Sequence, residues 1–158
     1  MKKNIWLIII LLITSAYANA LQRGDTLSPQ LSKKLNLDPN KITLVDFFAS
    51  WCVSCRIELP EVDALSQQLA SQPIGDKVDF IGVQVDEEAD VAAAFLKEIN
   101  LSFNVVDDQS QQVIGEFEPI GMPALYYIKN NKVLGIRFGA IPHIGQVIRN
   151  DLKQLGLK

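Results

Sequence analysis

The chain has 158 residues, with 15 basic and 18 acidic side chains, a formal net charge of −3, two cysteines and one histidine. This length fits one domain. Because the basic residues form no patch or run, the sequence argues against nucleic-acid binding. A structural zinc site normally has four ligands, and two thiols with one distant histidine, His143, do not supply them.

The first twenty residues have the pattern of a secretory signal peptide. Two lysines start the chain, an apolar core of about nine residues follows over 5–13, and residues 18–20 read Ala-Asn-Ala, a cleavage pattern. The core is shorter than the roughly 20 residues that span a bilayer. The sequence therefore predicts a signal peptide over 1–20 and a periplasmic domain over 21–158. An uncleaved signal that anchors the domain in the inner membrane is the alternative.

The rest of the chain alternates apolar runs with amphipathic segments. A helical turn near 31–35 precedes a strand over 43–49, a helix over 53–70, a strand over 78–85, a helix capped by Asp90, a strand over 104–106, a helix over 112–117, a hairpin of strands 124–128 and 133–138, and a helix over 143–155. This order predicts an α/β sandwich with a partly parallel sheet between layers of helices.

The two cysteines form a C-x-x-C motif, Cys52 to Cys55, where the first strand passes into the first long helix. Haem attachment would need a histidine directly after the second cysteine, and Arg56 stands there. A disulfide across so short a loop adds little stability, since the stabilisation grows with loop size. The motif therefore indicates a reactive dithiol, with two inert core cysteines as the alternative.

Three motifs together carry a family resemblance. Residues 45–55 read VDFFASWCVSC, Pro60 follows five residues after the second cysteine, and residues 121–123 read Gly-Met-Pro. In this combination they resemble the thioredoxin superfamily, and Glu-Leu-Pro at 58–60 resembles its exported TlpA/ResA-like branch. The resemblance covers roughly residues 42–155.

The resemblance implies a thioredoxin-like three-layer sandwich with a central mixed β-sheet flanked by helices. It also implies an enzyme that exchanges disulfides with client proteins, such as those of cytochrome c maturation, and is recharged by a membrane thiol carrier. We expect a monomer that needs no cofactor and no metal. Ala124 replaces the threonine common after the family's proline, which leaves the substrate less defined.

Within this family pattern the two cysteines have different roles. Cys52, at the first turn of the helix, would be the nucleophile, because helix N–H groups and the macrodipole favour its thiolate. Cys55, one turn further in, would resolve the mixed disulfide. Val53 and Ser54 carry no charge that would make the pair strongly oxidising, so we expect a reductase. A dithiol oxidase or isomerase, a copper(I) carrier on the same fold and a binding module with vestigial thiols are the alternatives.

Two carboxylates are predicted to act with the thiols. Asp46 lies in an otherwise apolar strand, where burial would raise its pKa and suit it to exchange a proton with Cys55. Glu58 shares the apolar face of the helix, and the resemblance implies that it tunes the thiols and contacts substrate. The alternatives are a solvent-facing strand edge for Asp46 and a kink at Pro60 that turns Glu58 outward.

Three further residues are predicted to bind the client. Pro123 resembles the family's cis-proline, which frees the Met122 backbone to pair with an extended substrate and keeps metal from bridging the thiols. Trp51 would form a rim beside the thiols, with a plain core aromatic as the alternative. The acidic residues over 86–90 are interpreted as a solvated loop with a helix cap, and His143 as a surface residue.

Overall fold

The structure is a computed structural model that describes residues 20–157. The predicted signal peptide therefore lies, except for Ala20, outside the described residues. The elements are α1 (Pro29–Lys34), β1 (Ile42–Phe48), α2 (Val53–Ala70), β2 (Val78–Gln84), α3 (Ala89–Ile99), β3 (Asn104–Asp107), α4 (Gln112–Phe117), β4 (Ala124–Lys129), β5 (Lys132–Phe138) and α5 (Ile144–Gln154). Over residues 20–157, no helix combines the length and apolarity that crossing a membrane requires.

The five strands form one mixed sheet in the order β3-β2-β1-β4-β5. Strands β1, β2 and β3 are parallel, and β4 runs antiparallel to both β1 and β5. All seven residues of β1 are buried, because this strand has neighbours on both sides and helices on both faces. The prediction that this apolar run forms a strand buried on both faces is therefore confirmed.

The side chains of β1 alternate between the two faces of the sheet. Val45 and Phe47 belong to a core formed with α1 and α4, whereas Leu44 belongs to a second core formed with α2 and α5. Phe48 packs with both cysteines in a third, smaller cluster beside α3. The predicted three-layer sandwich is confirmed. The end of β1 leads, through a short turn, to the two cysteines.

A two-residue turn closes the predicted hairpin. Asn130 and Asn131 have φ angles of 49° and 60°, the left-handed conformation that a type I′ turn requires and that asparagine tolerates. Because this turn needs only two residues, Lys129 and Lys132 join the strands instead of lying in the loop.

The predicted cap of α3 is wrong. The helix begins at Ala89, its N-cap is Glu88, and the Glu88 side chain makes no capping hydrogen bond. Asp90 lies inside the first turn, where its charge still interacts favourably with the helix dipole. The sequence has four acidic residues around this helix start, so composition alone did not fix the first helical residue.

Candidate redox site

Cys52 and Cys55 are joined by a disulfide at the N-terminus of α2. Cys52 is the N-cap residue, one position before the predicted first turn, and its Sγ accepts a 3.2 Å hydrogen bond from the Cys55 N–H. Cys52 is 6% exposed and Cys55 1%, so an incoming sulfur reaches Cys52 more readily. The free N–H groups of the helix end favour a thiolate at Cys52 when the pair is reduced.

Trp51 stands at the rim of an open cleft beside the disulfide. Its side chain is 66% exposed, which excludes the alternative of a core aromatic. The cleft has a volume of about 480 Å³ and a mixed lining of apolar and polar side chains: Trp51, Val85, Val91, Ile114 and Met122, with Ser50, Asp86, Glu87, Glu88 and Gln111. Apolar surface with a few polar groups and an exposed indole is suited to holding a polypeptide segment.

The loop before β4 forms the other side of the site. Its Met122–Pro123 peptide bond is cis, and Met122 packs against the cluster that contains both cysteines. Pro123 is buried, and its carbonyl accepts a 2.8 Å hydrogen bond from Gly139 N–H. The structure therefore brings Trp51, the disulfide and this loop together.

Asp46 is buried on the face of β1 that packs against α2. Burial raises its pKa to about 8, and the charge of Glu58 contributes in the same direction. It is 6% exposed and lies on the central strand of the sheet, so the alternative of a solvent-facing edge is wrong. A carboxyl group with this pKa holds its proton at neutral pH and can release it near pH 8.

Glu58 is buried on α2, and Pro60 does not turn it toward solvent. Its Oε1 accepts a hydrogen bond from the backbone N–H of Ile141. Burial raises the pKa of Glu58, the Ile141 bond opposes that rise, and the charge of Glu61 adds to it. Glu58 thus ties the redox helix to the loop before α5.

Asp86 is a residue of the site that the sequence interpretation missed, because the solvated acidic loop was wrong at this position. It is 5% exposed. Its Oδ2 accepts a 2.8 Å hydrogen bond from Ser50 N–H, and its Oδ1 accepts another of 2.8 Å from the Ser50 hydroxyl. The available signal was topological: Asp86 and Ser50 follow neighbouring parallel strands, whose carboxyl ends meet at one edge of the sheet.

Arg56 contacts the same turn from the other side. Its Nε donates a 3.1 Å hydrogen bond to the Ser50 carbonyl, and its guanidinium forms an ion pair with Glu98. The guanidinium also lies 4.6 Å from the centroid of the Phe95 ring. The residue after the C-x-x-C motif therefore supports the turn that leads into it.

A further sequence expectation concerns a residue outside this cluster. His143 is exposed, as predicted, and precedes α5. Within the described part of the chain, no group of three or more histidine, cysteine or carboxylate side chains is arranged to hold a metal ion.

Comparisons with known proteins agree with this fold and motif. A family model described as thioredoxin-like matches residues 40–134. The chain is 28% identical over 156 residues to thiol-disulfide oxidoreductase ResA of Bacillus cereus, covering 85% of this chain and 88% of that protein. It is 30% identical over 91 residues to ResA of Oceanobacillus iheyensis, covering 58% of this chain and 45% of that protein.

The fold also matches a solved structure. A crystal structure described as thiol:disulfide interchange protein DsbE from Chlorobium tepidum superposes with a TM-score of 0.69 at 24% identity. The match covers 85% of this chain and 98% of that chain. At this identity the likeness establishes the fold.

Proposed function

The chain belongs to the thioredoxin-like family of thiol-disulfide oxidoreductases, and we propose that it reduces disulfides in exported client proteins. The observation that carries the proposal is the Cys52–Cys55 disulfide at a helix N-terminus, whose more exposed residue, Cys52, directly follows a tryptophan that lines an open cleft. The disulfide form seen here is the product state of such a reaction.

The reaction needs two sulfur exchanges. In the reduced protein the Cys52 thiolate attacks one sulfur of the client disulfide, which breaks that bond, forms a mixed disulfide and releases one client thiolate. The Cys55 thiolate then attacks the Cys52 sulfur, which releases the second client thiolate and forms the Cys52–Cys55 disulfide. Two electrons pass to the client, and the two client thiolates take up protons.

Asp46, once it has released its own proton, is proposed to accept the Cys55 proton during the second exchange. Its pKa of about 8 lies close to that of an ordinary thiol, so proton transfer in either direction needs little energy. Glu58 is proposed to tune this step, because its charge is one of the two causes that raise the Asp46 pKa. Glu58 is also proposed to contact the client.

Trp51, Met122 and Pro123 are proposed to hold the client. Trp51 and Met122 line the cleft, and the backbone before the cis-proline would pair with an extended client segment. Main-chain pairing of this kind gives affinity without demanding one client sequence.

The proposed direction and location rest on the sequence. Val53 and Ser54 bring no charge to the dithiol, which favours a reductase, and the signal-like residues 1–20 favour export to the periplasm. In an oxidising compartment a dithiol stays reduced only if a donor recharges it. We propose a membrane thiol carrier as that donor and disulfides arising in cytochrome c maturation as one class of client.

Reduction of insulin disulfides tests the activity. We expect the parent protein, supplied with dithiothreitol, to reduce insulin faster than dithiothreitol alone. Cys52→Ser should lose this acceleration, whereas Asp90→Asn, a change on the exposed start of α3, should keep it. Equal rates for the parent and Cys52→Ser would contradict the proposal.

The roles of the carboxylates are tested on the second exchange. We expect Asp46→Asn to slow release of the client from the mixed disulfide by about tenfold or more, because a positioned base typically contributes at least that much. Glu58→Gln removes a charge that raises the Asp46 pKa, so the midpoint of the pH dependence should move to lower pH. Stopped-flow release rates equal to those of the parent at every pH would contradict both roles.

A further inference from the structure

We propose that Asp86, acting through Ser50, is a positioning residue that holds Trp51 in place, so that a client disulfide docks in the cleft in reach of Cys52. The proposal rests on the proposed function. It assigns a role to a buried carboxylate that is separated from Ser50 by 36 positions in the sequence.

The carboxylate of Asp86 is fully engaged by the turn and by its own strand. Oδ2 accepts from Ser50 N–H at 2.8 Å and also from the Gln84 side-chain amide, while Oδ1 accepts from the Ser50 hydroxyl at 2.8 Å. Gln84 is completely buried, and its Oε1 accepts in turn from the Asp86 N–H at 3.2 Å. A charged acceptor with two short bonds to one residue fixes that residue's position more firmly than a single neutral bond.

Ser50 is therefore held at three of its polar groups. Asp86 binds its N–H and hydroxyl, and Arg56 Nε binds its carbonyl. The next residue, Trp51, is two-thirds exposed and forms part of the cleft wall. Because an exposed indole has little packing to hold it, we expect the anchoring of Ser50 to set the position of Trp51 in the cleft wall.

The position of Asp86 distinguishes this role from tuning of the thiols. Asp86 lines the cleft together with Ser50, Trp51 and Met122, and its carboxylate oxygens accept hydrogen bonds from Ser50 and Gln84 and not from a cysteine. Loss of Asp86 should therefore impair attack on a large disulfide that must dock in the cleft. Attack on a small disulfide, which needs no docking, should be almost unaffected.

The chain allows a matched pair of substitutions. Asp86→Ala removes all the hydrogen bonds that the carboxylate accepts. Asp86→Asn can keep them, with its oxygen in the place of Oδ2 and its amide nitrogen donating to the Ser50 hydroxyl in the place of Oδ1. Asp90→Ala, in the same acidic segment but exposed, controls for the loss of one negative charge.

We expect Asp86→Ala to lower kcat/KM for insulin by about tenfold or more, because a misplacement of about 1 Å between a docked client and the attacking sulfur can cost about a hundredfold. Its rate with Ellman's reagent, a small aromatic disulfide, should stay within about twofold of the parent. Asp86→Asn should recover most of the insulin activity, and Asp90→Ala should behave as the parent.

Trp51 provides a readout that is independent of activity. The chain has two tryptophans, Trp6 and Trp51, so a Trp6→Phe background leaves Trp51 as the single emitter. We expect Asp86→Ala to give a faster decay of Trp51 fluorescence anisotropy than the parent or Asp86→Asn gives. If Asp86→Ala fails to fold, Ser50→Ala, which loses only the hydroxyl bond, should change the insulin rate and the anisotropy in the same direction by a smaller factor.

Three results would overturn the proposal: an insulin rate and an anisotropy decay unchanged in Asp86→Ala, equal losses on insulin and Ellman's reagent, or an Asp86→Asn variant as impaired as Asp86→Ala. The last result would assign the effect to charge instead of hydrogen bonding. If the parent itself does not reduce insulin, the proposed function fails, while the anisotropy comparison still decides whether Asp86 positions the turn.

Discussion

Asp46 couples the chemistry of the site to the stability of the protein. Its pKa is raised from an ordinary 3.8 to about 8, chiefly by burial. Between these two pH values the folded chain keeps a proton that the unfolded chain releases. Stability contributed by the buried neutral carboxyl is therefore fully present below about pH 4 and is lost as the pH rises to about 8.

An asparagine at position 46 carries an amide that mimics the neutral carboxyl group of Asp46. Asp46→Asn does not ionise, so it should escape this loss, and its advantage over the parent should grow by a few kcal/mol between pH 4 and pH 8. Urea unfolding of the oxidised proteins at several pH values measures the difference. Taking variant minus parent removes the contribution of the titrating groups that do not interact with Asp46.

An exposed carboxylate provides the control. Asp90→Asn removes the same charge from a solvent-facing position and should show no comparable growth in stability difference with pH. A constant difference between Asp46→Asn and the parent across this range would show that Asp46 is not held protonated by the fold.

At the scale of the elements, Gly82 on β2 leaves no room for a side chain beside the Phe48 ring of β1. This glycine pairs with Asp46 across the sheet. A Cβ atom at Gly82 would lie 2.7 Å from a ring carbon of Phe48 and 3.2 Å from one of Phe103. Phe48 packs in the cluster that contains both cysteines. A side chain at position 82 would therefore press on a ring that forms part of the redox site.

We predict that Gly82→Ala destabilises the protein by about 1–3 kcal/mol, the usual cost of overpacking a filled core. Gly135→Ala is the matched control on β5, since its nearest neighbour, a Tyr127 ring carbon, lies at an ordinary 3.5 Å. Denaturant midpoints of the two variants give the comparison. A Gly82→Ala variant as stable as Gly135→Ala would show that the Phe48 ring moves away without cost.

The elements show what sequence reasoning can reach. The bounds of α2, Val53–Ala70, and of α4, Gln112–Phe117, match the predicted ranges, because the spacing of apolar residues along a helix is local information. The predicted cap of α3, Asp90, is wrong, because several neighbouring acidic residues could serve as the cap and the structure has Glu88 there.

The residues of the site also divide into those that the sequence predicts and one that it does not. The burial of Asp46 and Glu58 followed from their apolar neighbours in sequence, and the C-x-x-C motif marked the sulfur chemistry. The burial of Asp86 depends on Ser50, which follows the neighbouring strand and contacts it only in the folded sheet. A pattern of acidic residues does not reveal a partner 36 positions away.

At the scale of the whole molecule, parts of the sheet and of the helices meet around Cys52. Strand β1 ends at the turn that leads to Cys52, α2 begins there, and the β4 loop brings Met122 against the same cluster. Parallel strands β1 and β2 end at one edge, which explains why the residues that support the turn come from separate parts of the chain. This arrangement leaves Cys52 slightly exposed, at 6%, and Cys55 more deeply buried, at 1%.

The reduction potential of the Cys52–Cys55 pair tests the central claim, that this dithiol donates electrons to client disulfides. It is measured by equilibrating the purified protein with a reference dithiol of known potential and counting free thiols by alkylation. With uncharged Val53 and Ser54 between the cysteines, we predict a value close to the thioredoxin range, about −270 mV. A value at or above about −180 mV, the range of disulfide isomerases, would contradict the assignment as a reductase.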